Sequence, residues 1–215
     1  MTTVTTAQNN PVSRPRGRLM FALDATASRA PTWEIARDLQ GRMFRETAPI
    51  GRLDVQLAYY RGEECRASKW VSSGDELAHL MNRIDCEAGY TQIGRVLTHA
   101  LRETQRAPVQ ALTFVGDAME ESIEELAAKA ARLGALGVPI FMFQEGRDPA
   151  VRKAFRLLAL KSGGAYFEFN ANTSQAIERL SERFNAIARL SVGDVEALQR
   201  VGLTAALTDQ RGWKD

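Results

Sequence analysis

The sequence predicts a doubly wound α/β fold: a mostly parallel, Rossmann-like sheet covered by helices on both faces, with one antiparallel edge strand. Three observations carry this. Apolar runs of strand length, at residues 19–23, 111–115 and 138–143, alternate with stretches whose apolar residues recur at helical intervals. Two alternating segments flank the turn Arg61-Gly62-Glu63-Glu64 and read as a hairpin. Two of the strand-like runs end directly on a carboxylate, Asp24 and Asp117. In doubly wound sheets ligands sit outside the carboxyl ends of the strands, so both acids are expected on one functional rim.

Taken in order, residues 1–17 are polar and are expected to form a flexible arm, followed by a domain over 18–190 and a tail over 191–215 with a weak helix near 195–201. Arg18-Leu-Met-Phe-Ala-Leu23 is a buried strand closed by Asp24. Trp33, Ile35, Ala36, Leu39, Met43 and Phe44 are spaced for a helix over 31–44, with Pro31 in its first turn and Ser28 or Thr32 as caps. Residues 53–60 alternate as a half-exposed strand, and 66–71 is its hairpin partner. Helices are expected over 73–83 and 92–106, then a strand over 109–116 ending at Asp117. An Ala-rich helix over 121–136 stops at Gly137, a strand fills 138–143, and a helix over 148–161 is stopped by Ser162-Gly163-Gly164. A short strand at 165–169 precedes a long amphipathic helix over 174–190, whose Ile177, Leu180, Phe184 and Ile187 share one stripe.

With 215 residues and 45% hydrophobic content, the chain can bury one substantial core. A formal net charge of +2 gives no strong field for nucleic acid, so a DNA- or RNA-binding role is disfavoured. No apolar run approaches the roughly 20 residues of a membrane-spanning helix, so no membrane role is expected. The N-terminal stretch lacks the apolar core of a secretory signal, and Cys65 and Cys86 form neither a disulfide framework nor a zinc ligand set. Two free thiols and a cytoplasmic location are the resulting expectations.

The loop Asp24-Ala-Thr26-Ala-Ser28 offers a carboxylate and two hydroxyls at alternating positions, so one turn can aim three oxygen groups at a hard cation. Such donors suit Mg²⁺, with Mn²⁺ or Ca²⁺ as alternatives, better than zinc. Thr91 and Asp117 can supply further oxygens. Each of these residue types also caps helices without binding anything, and a metal-free scaffold of the same fold is the competing reading.

In order and spacing these residues resemble the von Willebrand factor type A (VWA) family. That family's metal-ion-dependent adhesion site (MIDAS) is Asp-x-Ser-x-Ser, a distant Thr and a later Asp after a strand. Asp24, Thr26 and Ser28 match the first element, with Thr in place of the first Ser; Gly89-Tyr90-Thr91 matches the loop with the Thr; and Val115-Gly116-Asp117 matches the strand-end Asp. Leu136-Gly-Val-Pro-Ile-Phe141 and the stretch from Leu158 through Gly163-Gly164 to Phe167 are similar to the family's fifth strand and to its following helix, glycine turn and last strand. The resemblance covers roughly 18–190. Gly116-Asp117-Ala118 departs from the usual Thr-Asp-Gly, and Thr26 adds a methyl group that narrows its rotamers. The resemblance implies a protein-interaction module rather than an enzyme. In it, a bound Mg²⁺ would leave one coordination position for a carboxylate of a protein partner, and the helix over 174–190 would be able to transmit movement.

A Mg²⁺-dependent phosphatase or hydrolase with Asp24 as nucleophile is the catalytic alternative. Thr26 stands where the haloacid dehalogenase pattern needs a second Asp, and no Gly-Lys-Ser/Thr phosphate loop occurs. His79 and His99 lie apart on helices and receive no role. Glu120, Glu121, Glu124 and Glu125 read as a solvated helix start that complements the helix dipole. Trp33, Trp70 and Trp213 have no unique interpretation.

Overall fold

The computed structural model describes residues 16–34 and 53–169, together with 182, 186 and 187. Its centre is a six-stranded sheet formed by β1 (Gly17–Asp24), β2 (Leu53–Arg61), β3 (Glu64–Ala67), β4 (Ala111–Gly116), β5 (Ile140–Glu145) and β6 (Ala165–Phe169). The spatial order is β3-β2-β1-β4-β5-β6, and only β3 runs antiparallel, against β2. The fold class expected from the sequence is therefore the one observed. From β1 the chain goes first to β2 on one side and later to β4 on the other. The topological switch point thus lies at the carboxyl ends of β1 and β4, where crevices open in such folds.

Period-two alternation divides the strands between two cores. Leu19, Phe21 and Leu23 of β1 face one side with Val55, Leu57, Phe141 and Phe143. That side is covered by Trp33, by Leu77 and Met81 of α1 (Gly74–Met81), and by Ala186 and Ile187. Met20 and Ala22 face the other side with Leu112, Phe114, Ile140 and Met142. There the cover comes from α2 (Ile93–Arg106), α3 (Ile123–Ala135) and α4 (Pro149–Ser162). Burial on both faces explains why β1, β4 and β5 read as continuous apolar runs.

Local chemistry sets the helix ends. Ser73 and Ser122 accept the main-chain N–H groups of Glu76 and Glu125, and the Asp148 carboxylate accepts those of Ala150 and Val151 ahead of Pro149. Gly163, at φ 74°, closes α4 in the left-handed conformation that glycine adopts without strain.

The departures from expectation have physical causes. The hairpin strand expected over 66–71 pairs from Glu64 to Ala67 instead, and resumes only as an isolated bridge between Val71 and Val55. Between them Ser68 ties back to Leu57, and Trp70 turns onto the Arg18 guanidinium and donates its Nε1–H to Glu103. The segment after Asp24 begins with a 3₁₀ turn, Ala27–Thr32, ahead of Trp33, and most of the helix expected over 31–44 lies outside the described residues. Of the helix expected over 174–190, residues 182, 186 and 187 are described and helical, and Ile187 of the expected stripe is buried. The tail over 191–215, including Trp213, lies outside the described residues. Among those residues, no helix is long and apolar enough to cross a membrane.

Candidate metal centre

Asp24 is the last residue of β1, is fully buried, and lies opposite Tyr60 of β2 in the parallel register. Its Oδ1 accepts the main-chain N–H of Thr26 at 2.8 Å and the Thr26 hydroxyl at 2.6 Å, while Oδ2 accepts the Tyr60 hydroxyl at 2.9 Å. Burial, reinforced by the adjacent Asp24 carboxylate, pushes the Tyr60 phenol well above its ordinary range, so Tyr60 stays a donor. Ser28 continues the chain of oxygens: its Oγ lies 3.1 Å from the Thr26 hydroxyl and 3.2 Å from Oδ1 of Asp117, just past β4. Four of the five expected ligands, Asp24, Thr26, Ser28 and Asp117, thus form one continuous run of oxygen contacts.

Proton counting shows what this run lacks. The Thr26 proton is committed to Asp24, so Ser28 has one proton for two acceptors, the Thr26 oxygen and Asp117. One lone pair is left facing an oxygen. Burial raises the pKa of Asp117; the Ser28 hydrogen bond opposes this, and the neighbouring Asp24 charge adds to it. Two carboxylates and two hydroxyls packed in this way are a set of hard donors short of positive charge.

Thr91, the fifth expected ligand, is buried and joined to the same rim indirectly. Its N–H donates to Oε2 of Glu120 at 2.9 Å, and its hydroxyl accepts the Glu120 N–H at 3.0 Å, which fastens the Thr91 loop to the loop that begins at Asp117. Gly89 allows the approach on the other side, because a Cβ there would collide with the main chain of Gly62. Gly116, one of the departures from the family pattern, has a similar role: a Cβ would lie 2.8 Å from the Phe114 ring and 3.3 Å from the Asp24 Cβ.

Glu120 and Glu121 are corrected by the structure. They precede α3 rather than opening it, and the Glu121 carboxylate reaches across to accept the N–H groups of Ile93 (2.5 Å) and Gly94 (2.8 Å) at the start of α2. Gln92, the N-cap residue of α2, contributes no side-chain cap, so Glu121 fills that place from a distance. Only Glu124 and Glu125 sit in the first turn of α3 as expected.

Sequence reasoning missed Arg29 and Glu145. Arg29 is buried in the 3₁₀ turn directly after Ser28, and its Nη1 donates to the main-chain oxygen of Asp24 at 2.8 Å. Its Nε donates to Oε2 of Glu145, the last residue of β5, at 3.0 Å, and Nη2 approaches the same oxygen at 2.9 Å without an aligned hydrogen bond. The residues are 116 apart in sequence, so no local pattern signals the pair. Cys86 lies in the same electrostatic neighbourhood, and burial pushes its thiol up to about 11. Cys65 and Cys86 are both free and half-buried, as expected.

The donor set fits a hard divalent cation. Asp24, Thr26, Ser28 and Asp117 offer oxygens only, and Thr91 sits on an adjoining loop. Among the described residues no group of three or more His, Cys, Asp or Glu side chains is placed to hold a metal, so a ligand set here would need the Thr26 and Ser28 hydroxyls beside the two carboxylates.

No family model matches the sequence, and no curated protein is similar enough to count as a relative. Solved structures do match in fold. The SpRpn10 VWA domain aligns at 12% identity and a TM-score of 0.62, over 78% of this chain and 95% of that one. Proximal thread matrix protein 1 from the mussel byssus, with a zinc-occupied MIDAS motif, aligns at 16% identity and a TM-score of 0.63, over 82% of this chain and 46% of that one. The vWF domain of the type V pili tip protein Mfa5 from Porphyromonas gingivalis aligns at 9% identity and a TM-score of 0.63, over 80% of this chain and 95% of that one. The chain has a VWA-like fold. The expectation of a cytoplasmic location is corrected by these matches: byssal matrix and pilus proteins carry this fold, so an N-terminus without a signal-like segment and two free thiols do not place the chain inside a cell.

Proposed function

We propose that the protein is a metal-dependent protein-interaction module whose site is built from Asp24, Thr26, Ser28, Asp117 and, from the adjoining loop, Thr91. The observation that carries this reading is the unbroken oxygen run from Asp24 through Thr26 and Ser28 to Asp117, with one proton too few for its acceptors. Mg²⁺ is the favoured ion, with Mn²⁺ or Ca²⁺ as substitutes, because hydroxyls and carboxylates are hard ligands. A zinc-occupied MIDAS motif in the byssal protein supports the idea that this fold can hold a divalent ion at such a rim.

When bound, the ion would supply a positive charge that neutral hydroxyl ligands leave under-neutralised, open to a carboxylate from a protein partner. The chain's own residues prepare for this. Tyr60 and the Thr26 N–H hold the Asp24 carboxylate in place. Ser28 is exposed and Asp117 half-buried, so the outer end of the run faces the surface where a partner would approach. Calorimetric titration of Mg²⁺ and Mn²⁺ into wild type and Asp24→Ala, in carboxylate-free buffer, tests the reading. Saturable binding by wild type and none by the variant is the expected result; equal behaviour of the two folded proteins would overturn it.

A further inference from the structure

We propose that Glu145 is a charge-balancing residue: it neutralises the buried Arg29 and so lets a divalent cation be held by Asp24 and Asp117 beside a permanent positive charge. The inference rests on the metal-site reading above. Arg29 follows Ser28 directly, and its guanidinium, with no exposed side-chain surface, spans from the Asp24 main-chain oxygen to Glu145. The Trp33 ring, 5.6 Å away, closes another side. An arginine cannot shed its charge, and with little water around it that charge is poorly screened. In the ion pair the charges of Arg29 and Glu145 cancel, and the Asp24 and Asp117 carboxylates are left to the cation. Without Glu145, the guanidinium offsets one of them and repels the incoming ion. The cost is a buried ion pair, which is weak as a source of stability. Its placement one residue beyond the hydroxyl ligands gives it a use at the site.

Charge balance and mere structural support predict opposite signs for Arg29→Gln, which makes that variant decisive. Mn²⁺ affinity is measured by electron paramagnetic resonance of the free ion for wild type, Arg29→Gln, Glu145→Gln and the double variant. The fold of each is followed by circular dichroism and by melting without metal. Glu145→Gln is expected to bind Mn²⁺ roughly tenfold or more weakly, Arg29→Gln more tightly by a similar factor, and the double variant within about threefold of wild type. If Arg29→Gln fails to fold, Arg29→Met, uncharged and similar in length, takes its place with the same tighter binding expected. Weakening in both single variants, or a double variant as weak as Glu145→Gln, would show that the pair only shapes the loop and would overturn the proposal. A wild-type protein that binds no Mn²⁺ would overturn the metal-site reading itself, and this inference with it.

Discussion

Glu121 caps a helix to which it does not belong, and removing it has a cost that the structure allows to be worked out. Its carboxylate is the acceptor for the N–H groups of Ile93 and Gly94, and Gly94 leaves it room, since a Cβ there would lie 2.8 Å from Oε1. Glu121→Ala orphans both donors. A fully buried orphan costs about 1–3 kcal/mol, and partial access of water to this half-buried site sets the total near 2 kcal/mol. For a chain of this size that is a fall in melting temperature of roughly 4–8 °C. Glu121→Gln should cost about 1 kcal/mol, less than alanine, because its amide oxygen can accept only one of two N–H groups that now bind separate oxygens. Burial is the largest influence on Glu121 and raises its pKa, so the native carboxylate pays a desolvation cost that an amide avoids. The sign for pH follows: a raised native pKa gives stability that is complete below the unfolded pKa and lost as pH rises through the folded one. The decline should be shallower in Glu121→Gln than in wild type, because Asp117, whose pKa burial also raises, contributes to it in both. Thermal melts from pH 4 to 8 on the three proteins are the assay. An alanine variant within about 1 °C of wild type would refute the cross-helix cap and restore the reading of a solvated helix start.

Tyr60→Phe removes a buried donor to Asp24 Oδ2 and should cost about 1–2 kcal/mol in urea unfolding; a change below about 0.5 kcal/mol would mean that the hydroxyl does not hold the carboxylate. In a Cys65→Ser background, alkylation of Cys86 by iodoacetamide should be slow at pH 8 and rise with thiolate formation toward about pH 11; a rate that levels off near pH 9 would contradict the burial of this thiol.

Where a segment's own pattern decided its structure, the sequence was readable. The β1 run, buried on both faces, and its closing Asp24 stood out because a central parallel strand tolerates little else. The MIDAS-like residues stood out because their spacing is local within the loop from Asp24 to Ser28 and strand-terminal at Asp117. Legibility ended where tertiary contacts decided. The hairpin partner shifted because Trp70 found Arg18 and Glu103, a contact that alternation cannot show. Glu120 and Glu121 looked like dipole-complementing acids, yet they answer a missing cap on α2 and a loop at Thr91. Tyr60 required the strand register, and Arg29 with Glu145 required the spatial order of β1, β4 and β5.

The central claim is that the oxygen run from Asp24 to Asp117 holds a divalent cation. A crystal structure grown with Mn²⁺ and read by anomalous difference density tests it most directly. The account predicts one strong peak within bonding distance of the Thr26 and Ser28 hydroxyls, with their mutual contact opened to admit it. Well-ordered Thr26 and Ser28 still hydrogen-bonded to Asp24 and Asp117, with no peak between them at saturating Mn²⁺, would contradict it.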